Sequence, residues 1–458
     1  MTSARAPFMI DDLANTVTGD VITPEDDRYD QARRMFYGGM DNHPAALVRV
    51  VDTDDVIAVL RFAIELGVPF AVRSGAHSVS GSSGIDDGIV IDLCALKSIE
   101  IDLESSTVWA GAGLTAGELT NAAGEHGLAL GFGDTGSVGI GGITLGGGVG
   151  FLARKYGLTI DSLLAAELVT AQGEVIVADG DNHPDLFWAI RGGGGNFGVA
   201  TRFRYALHPV DRIVGGMLVL PATVEAISGF LALSDEAPED LTTMANVMAA
   251  PPMPFLPEQL WGSTILMGLI AWAGDLDEGR VWMDRFRGLA EPLFDMLDVM
   301  PYPQIYMEED EEYQPLAVGL TGFIDRIDDR AITRILEEIA ASDAPMRVVQ
   351  LRVLGGAVSR VPNYATAYGH RDRAIMVNVA SFYEDESQRS RRHAWVRDLH
   401  HELTGDDEAG YVGFLGEEGE ARVRAAYPGD IWDRLRAVKA KYDPHNVFAR
   451  NQNIPPAE

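Results

Sequence analysis

Apolar and polar positions change in short runs along the first 210 residues. Ala45–Val51 is apolar and strand-like. Val56–Leu66 carries apolar residues at helical spacing, and Thr53-Asp54-Asp55 supplies its cap. Gly67-Val-Pro stops that helix and opens a short buried strand, Val68–Val72. Ile89–Leu93, Ser98–Ile101 and Val108–Gly111 read as further strands, and Ala116–His126 as a helix. Residues 22–40 read as a short helical entry, with Asp26–Arg34 mostly polar. Leu164–Thr170 and Glu174–Val177 pair around Gln172-Gly173, and Leu186–Ile190 is a short helix. The pattern breaks at Leu207-His-Pro-Val210. Beyond it, the strands Gly215–Leu220, Thr264–Trp272, Met346–Leu354 and Ala374–Ser381 are interrupted by the helices Thr223–Ser234, Gly279–Arg287 and Arg330–Ala341. Strands interrupted by helices predict a second α+β layer packed on the first part. The acidic run Glu308–Glu312 reads as a solvated loop.

Two stretches fall outside this periodicity. The first is Val72-Arg-Ser-Gly-Ala-His77-Ser-Val-Ser-Gly81, directly after a strand. Small residues let a backbone approach a ligand, and a tight turn of exposed N–H groups binds anions. An arginine at its mouth suits a phosphate. The plain alternative is a strand–loop–strand turn with a surface histidine. The second stretch, Gly131–Gly150, holds ten glycines in twenty residues. That density predicts neither a good helix nor a packed strand, but a backbone wrapped around a ligand. Gly131–Gly136 and Gly193–Gly198 match Gly-x-Gly-x-x-Gly formally, without the strand and helix that would make the match a dinucleotide site.

Charge and composition narrow the partners. The chain has 458 residues, which suggests two or three domains, and a net charge of −32 from 68 acidic and 36 basic residues. Nucleic acid and anionic membrane are therefore poor partners. The longest apolar stretch, near Ile265–Ala273, is too short to span a bilayer. Met1–Asp11 shows no secretory pattern, so a cytoplasmic setting is expected. The single cysteine, Cys94, excludes an intrachain disulfide and a cysteine-cluster metal site, and reads as a buried thiol. No metal site is expected.

The His77 turn resembles the Arg-Ser-Gly-Gly-His turn of vanillyl-alcohol-oxidase-type flavoproteins, in the branch of berberine bridge enzymes and bacterial 6-hydroxynicotine oxidases. Ala76 stands where that family has a second glycine, a change compatible with close approach if φ is negative there. Val138–Gly150 matches the family's flavin loop, and Asp185–Val199 and Tyr442–Pro456 its later segments. The resemblance implies an α+β fold. A two-part FAD-binding domain of the p-cresol-methylhydroxylase type would occupy residues 1–210, with its core at 39–209. A substrate domain with an antiparallel sheet flanked by helices would follow at 211–425. Residues 426–458 would return to the FAD domain.

The resemblance also implies an FAD-dependent oxidoreductase whose cofactor is bonded through the 8α-methyl to His77. Doubly linked members carry a cysteine where Thr135 stands, so a single attachment is implied. FAD contacts would come from Arg73, Ser74, Gly75, Ala76, His77, Ser78 and Gly81 in the first turn. Thr135, Ser137, Val138, Gly139, Gly141, Gly142, Gly146, Gly147, Gly148 and Gly150 would follow from the loop. Tyr156, Asp161, Gly198, Val199, Asn451 and Asn453 complete the implied set. Val138 would border the reactive flavin edge and leave room for O2, giving an oxidase that forms hydrogen peroxide from a small organic substrate. A dehydrogenase with another acceptor and a non-catalytic flavin binder are the alternatives.

Val348–Leu354 alternates as a strand does, with Gln350 and Arg352 on the face opposite Val349, Leu351 and Val353. Those two polar residues either face water or orient a substrate, in which case a carboxylate, enol or phenolate would suit the guanidinium. Tyr411 is the candidate for orienting or deprotonating a substrate hydroxyl.

Overall fold

The computed structural model describes residues 6–252, 256–307 and 312–458. Most of the acidic run Glu308–Glu312 and the first five residues of the N-terminal segment lie outside the described residues.

Three sheets organise the chain. The first has four strands in the order Asp20–Ile22, Ala46–Arg49, Ile89–Asp92, Phe70–Arg73. The first pair is antiparallel and the other two are parallel, so the strand before the His77 turn is an edge strand beside Ile89–Asp92. The helix Thr53–Leu66 makes the crossover. Its cap is Asp52, one residue earlier than the sequence suggested: the Asp52 carboxylate accepts from Asp55 N–H at 2.9 Å. The second sheet is antiparallel, in the order Ile99–Asp102, Thr107–Gly111, Val199–Ala206, Leu163–Val169, Val175–Asp179. One apolar core joins both sheets and takes in Tyr442, Phe448 and Ile454 from the far end of the chain.

The third sheet is antiparallel and eight-stranded. Its central order is Arg212–Pro221, Thr264–Trp272, Leu241–Ala249, Arg347–Val353, Ile375–Tyr383, Leu316–Ile324. The helices Val224–Glu236, Leu276–Arg287, Asp329–Ala341 and Arg389–Thr404 cover one face, burying Val349, Leu351 and Val377 beneath them. Side chains alternate across a strand, so this assigns Gln350 and Arg352 to the opposite face. There Gln350 lies in register with Asn246 and Asn378.

The strand Leu241–Ala249 gives no sequence signal because every one of its residues is buried, which erases the polar–apolar alternation. A larger departure lies in the glycine run, where Ile140–Gly146 is a helix. Buried Ile140, Thr144 and Leu145 pin it. Tertiary packing thus overrides the poor intrinsic propensity of its glycines. Among the described residues no helix is long and apolar enough to cross a membrane.

Candidate active site

The three sheets meet around a cavity of about 540 Å³. The His77 turn forms one wall, the glycine-rich loop a second, and the uncovered face of the eight-stranded sheet a third. Tyr411–Leu415 and the C-terminal stretch Val447–Gln452 close it. The first two walls touch backbone to backbone. A Cβ on Gly75 would sit 2.1 Å from Gly139 N, and one on Gly139 would sit 2.2 Å from Gly75 N. Neither position accepts a side chain, which explains glycine at both.

Ala76 has φ of 59°, so the sequence expectation of negative φ there is corrected. A left-handed alanine costs roughly 1–2 kcal/mol, and such strain concentrates at ligand clamps. Ala76→Gly is expected to raise stability by about 0.5 kcal/mol net, because glycine also loosens the unfolded chain. Urea unfolding measures it, and an unchanged or lower midpoint would show that the turn is not strained.

His77 projects into the cavity and stacks on Phe36, with ring centroids 4.1 Å apart and planes 20° apart. Its Nε2 lies 2.9 Å from Ser137 Oγ. Burial pushes the imidazole pKa down to about 4. The ring is therefore neutral at neutral pH. In the tautomer whose Nε2–H donates to Ser137 Oγ, Nδ1 carries the free lone pair of a nucleophile.

Across the cavity stands a buried polar cluster. Arg352 is only 4% exposed, which rules out the solvated face. Its Nη2 donates to Asp134 Oδ2 at 2.6 Å, its Nη1 to the Val149 carbonyl at 3.0 Å, and its Nε to Gln350 Oε1 at 2.8 Å. Gln350 Nε2 donates in turn to Asn246 Oδ1 at 2.9 Å. The guanidinium also lies 5.2 Å from the Phe414 ring centroid.

Asp134 was missed by the sequence reading. The available signal was that it is the sole charged residue in Gly131–Gly150. Tyr37, also missed, lines the same cavity, and burial pushes its pKa up to about 12. Tyr411 is buried, and its Oη accepts from Gly148 N–H at 3.0 Å. Burial raises its pKa, so it keeps its proton at neutral pH. That suits orienting a substrate hydroxyl and argues against deprotonating one.

Residues 44–179 match the FAD binding domain family, and residues 410–455 match the berberine and berberine-like family. The (R)-6-hydroxynicotine oxidase of Paenarthrobacter nicotinovorans is 32% identical, over 96% of this chain and 97% of that protein. The chain belongs to the berberine-bridge-enzyme-like family of FAD-linked oxidoreductases. Berberine bridge enzyme-like 24 of Arabidopsis thaliana is 28% identical over 90% of this chain and 84% of its own length. In structure, the 6-hydroxy-D-nicotine oxidase of Arthrobacter nicotinovorans superposes with a TM-score of 0.85 and 28% identity, over 96% of this chain and 98% of that one. A Myceliophthora thermophila xylooligosaccharide oxidase shares the fold, with a TM-score of 0.84 at 23% identity over 98% and 100% of the two chains.

The cavity of this berberine-bridge-enzyme-like chain fits FAD. The paired glycines leave a bare backbone wall. Ser74, Ser78, Ser80 and Ser82 add hydroxyls beside it. Buried Asn451 Oδ1 and Asn453 Oδ1 have no protein partner, as acceptors awaiting a ligand or water would. Of the implied contacts, Ser74, Gly75, Ala76, His77, Ser78, Thr135, Val138, Gly139, Gly141, Gly142, Gly146, Gly198, Val199 and Asn451 line the cavity.

The others stand outside the cavity lining. Arg73 is the clearest correction: it is buried in an ion pair with Asp92 at 2.7 Å and donates to the Ala32 carbonyl at 2.6 Å, so its charge is spent on the fold. Asp161 is bound by Arg371 through two hydrogen bonds of 2.7 and 2.9 Å. Tyr156 stacks on His208 at 4.0 Å. Gly81 backs on Met40, Gly147 on Tyr368, and Gly150 on the Phe132 carbonyl. Gly148 holds Tyr411, and Ser137 holds His77. These residues can support the lining but do not form it. Asn453 is absent from the lining as well, and only its orphaned oxygen speaks for ligand contact.

Proposed function

We propose that the protein is an oxidase that takes hydride from a small organic substrate and passes the electrons to O2, with its FAD bonded once, through His77. The observation that carries this reading is the neutral His77 on one wall of a cavity whose other walls present Asp134, Arg352, Gln350 and Tyr411. FAD supplies the hydride acceptor and the outlet for electrons. Residues 1–210 with 426–458 would hold it, and 211–425 would shape the substrate side. The Gly75–Ser78 backbone N–H groups would hold the phosphate side, with the Ser78, Ser80 and Ser82 hydroxyls beside them. Tyr411, kept protonated, would donate to a substrate oxygen, while Arg352 and Gln350 fix the sheet wall. The substrate class spans alcohols, sugars, phenols and alkaloid-like compounds, in keeping with oxidases of hydroxynicotine and of xylooligosaccharides among the relatives.

Oxygen uptake over a panel of these compounds, beside reduction of an artificial dye, tests the acceptor. Turnover with dye but none with O2 would favour a dehydrogenase. Bound flavin with no turnover at all would favour a binding protein. Val138 lines the cavity next to Gly139, and a small side chain at that position in the family leaves room for O2. Val138→Leu is expected to slow reoxidation by O2 about tenfold, ~1.4 kcal/mol of barrier, while sparing reduction by substrate. Stopped-flow measurement of both half-reactions checks it, and equal change in both would make Val138 a packing residue.

A further inference from the structure

The charged residues of the cavity wall are few. Among its described lining residues, only Asp134, Arg352 and Arg450 are charged, since His77 is neutral. Arg450 belongs to the C-terminal segment and donates to the Gly84 carbonyl at 2.7 Å, on the side of the His77 turn. On the sheet side this leaves Asp134 and Arg352 as a closed pair at 2.6 Å. A ligand there meets opposite unit charges side by side, whose fields largely cancel, and no net positive charge. An incoming carboxylate would either push Asp134 off the guanidinium, leaving that carboxylate unpaired in the wall, or take the remaining N–H groups directly beside the like charge of Asp134.

The hydrogen-bond inventory points the same way. Three of the five guanidinium N–H groups are already committed, to Asp134, Val149 and Gln350. The amide of Gln350 is also engaged at both ends. Asp134, by contrast, has spare capacity. Its Oδ2 takes Arg352, whereas its Oδ1 receives only a long contact of 3.5 Å from Thr135. The cluster therefore offers an open acceptor on Asp134 beside the two remaining guanidinium N–H groups, and the acceptor calls for a ligand O–H or N–H. Val348, Ala380, Phe382 and Phe414 surround it with apolar surface.

We infer that the Asp134–Arg352 pair sets the charge selectivity of the cavity: it admits a neutral, partly apolar substrate whose hydroxyl donates to Asp134, and it turns away carboxylates. This rests on the oxidase reading above and reverses the sequence expectation that Arg352 favours an anion. Asp134 is also the one carboxylate of the described lining, while Tyr37 and Tyr411 keep their protons. Bound FAD would supply the acceptor for the substrate's hydride, and the Asp134 carboxylate would take the hydroxyl proton as the C–O bond becomes a carbonyl. Asp134 then returns that proton to solvent.

The test uses the flavin-loaded protein and two probes of similar size, phenol and benzoate, titrated by the change in flavin absorbance. Wild type is expected to bind phenol at least tenfold more tightly than benzoate. Asp134→Asn frees the Arg352 charge, so benzoate should tighten at least tenfold and phenol should weaken, reversing the order. Asp134→Glu should keep the wild-type order. Benzoate affinity unchanged in Asp134→Asn, or a benzoate preference in wild type, overturns the inference. Should Asp134→Asn fail to hold flavin, Arg352→Gln serves instead. It leaves Asp134 alone and is expected to bind benzylammonium at least tenfold more tightly than wild type does, and equal binding would overturn the inference. Failure of the oxidase reading would look different: the probes would bind in the expected order, but no hydroxylated compound would reduce the flavin.

Discussion

Replacing His77 with alanine is expected to remove all acid-stable flavin from the protein. Wild type, precipitated with acid, should keep flavin fluorescence in the pellet, and the variant should release it to the supernatant. Nucleophilic attack by imidazole needs a neutral ring with a free lone pair. Burial pushes the His77 pKa down to about 4, and in the tautomer whose Nε2–H donates to Ser137 Oγ, Nδ1 meets both conditions across the neutral range. His77 is the one histidine among the described lining residues. Cys94 is half-buried outside the lining, and burial with Asp92 nearby pushes its thiol up to about 11, leaving almost no thiolate. Thr135 lines the cavity where the doubly linked relatives carry their cysteine, and a hydroxyl makes no such bond. The glycine and serine walls remain in the variant, so FAD should still bind reversibly. Flavin wholly released from wild type would sink the covalent assignment, and flavin retained in His77→Ala would move the attachment to another residue.

Lys439→Met is expected to cost about 3–5 kcal/mol, the penalty for leaving a buried charge without its partner. Lys439 and Asp443 are both fully buried and paired at 2.6 Å. Lys439 Nζ also donates to the carbonyls of Asn196 at 2.7 Å and Phe448 at 3.1 Å. Asp443 accepts from the N–H groups of Val447 at 2.8 Å and Phe448 at 2.9 Å. The pair therefore clamps the C-terminal segment onto the Gly192–Val199 turn. Burial depresses the Lys439 pKa and the Asp443 carboxylate raises it, so methionine removes a cation that is desolvated but compensated. Asn451 and Gln452, just beyond the clamp, line the cavity, so FAD affinity should fall together with the melting temperature. A melting temperature within about 1 °C of wild type would show that the clamp contributes nothing, since 1 kcal/mol moves a domain of 150–250 residues by roughly 2–4 °C.

Local patterning alone carried much of this protein. The strand Thr264–Trp272 has the limits its apolar run suggested, and the helices Val224–Glu236 and Asp329–Ala341 lie within two residues of expectation. Their periods are set by one apolar face, which a sequence displays directly. Gly75, His77 and Gly139 were singled out through the family resemblance, and all three line the cavity. Glycine is required at 75 and 139 because the two backbones touch there, which restricts residue type at each position.

What sequence left undecided was decided by contacts between distant segments. Whether Gln350 and Arg352 faced water or a cavity depended on which face of their strand four helices would cover. Arg73, read as a phosphate ligand, turned away because Asp92 on the neighbouring parallel strand reached it first. Asp134 gained its meaning only when the fold set it against Arg352, 218 residues away. Alternation, capping and turn chemistry act within a few residues and are written in order along the chain. Charge pairing and burial act through space at a few ångströms, and only the closed tertiary structure determines which side chains come that near.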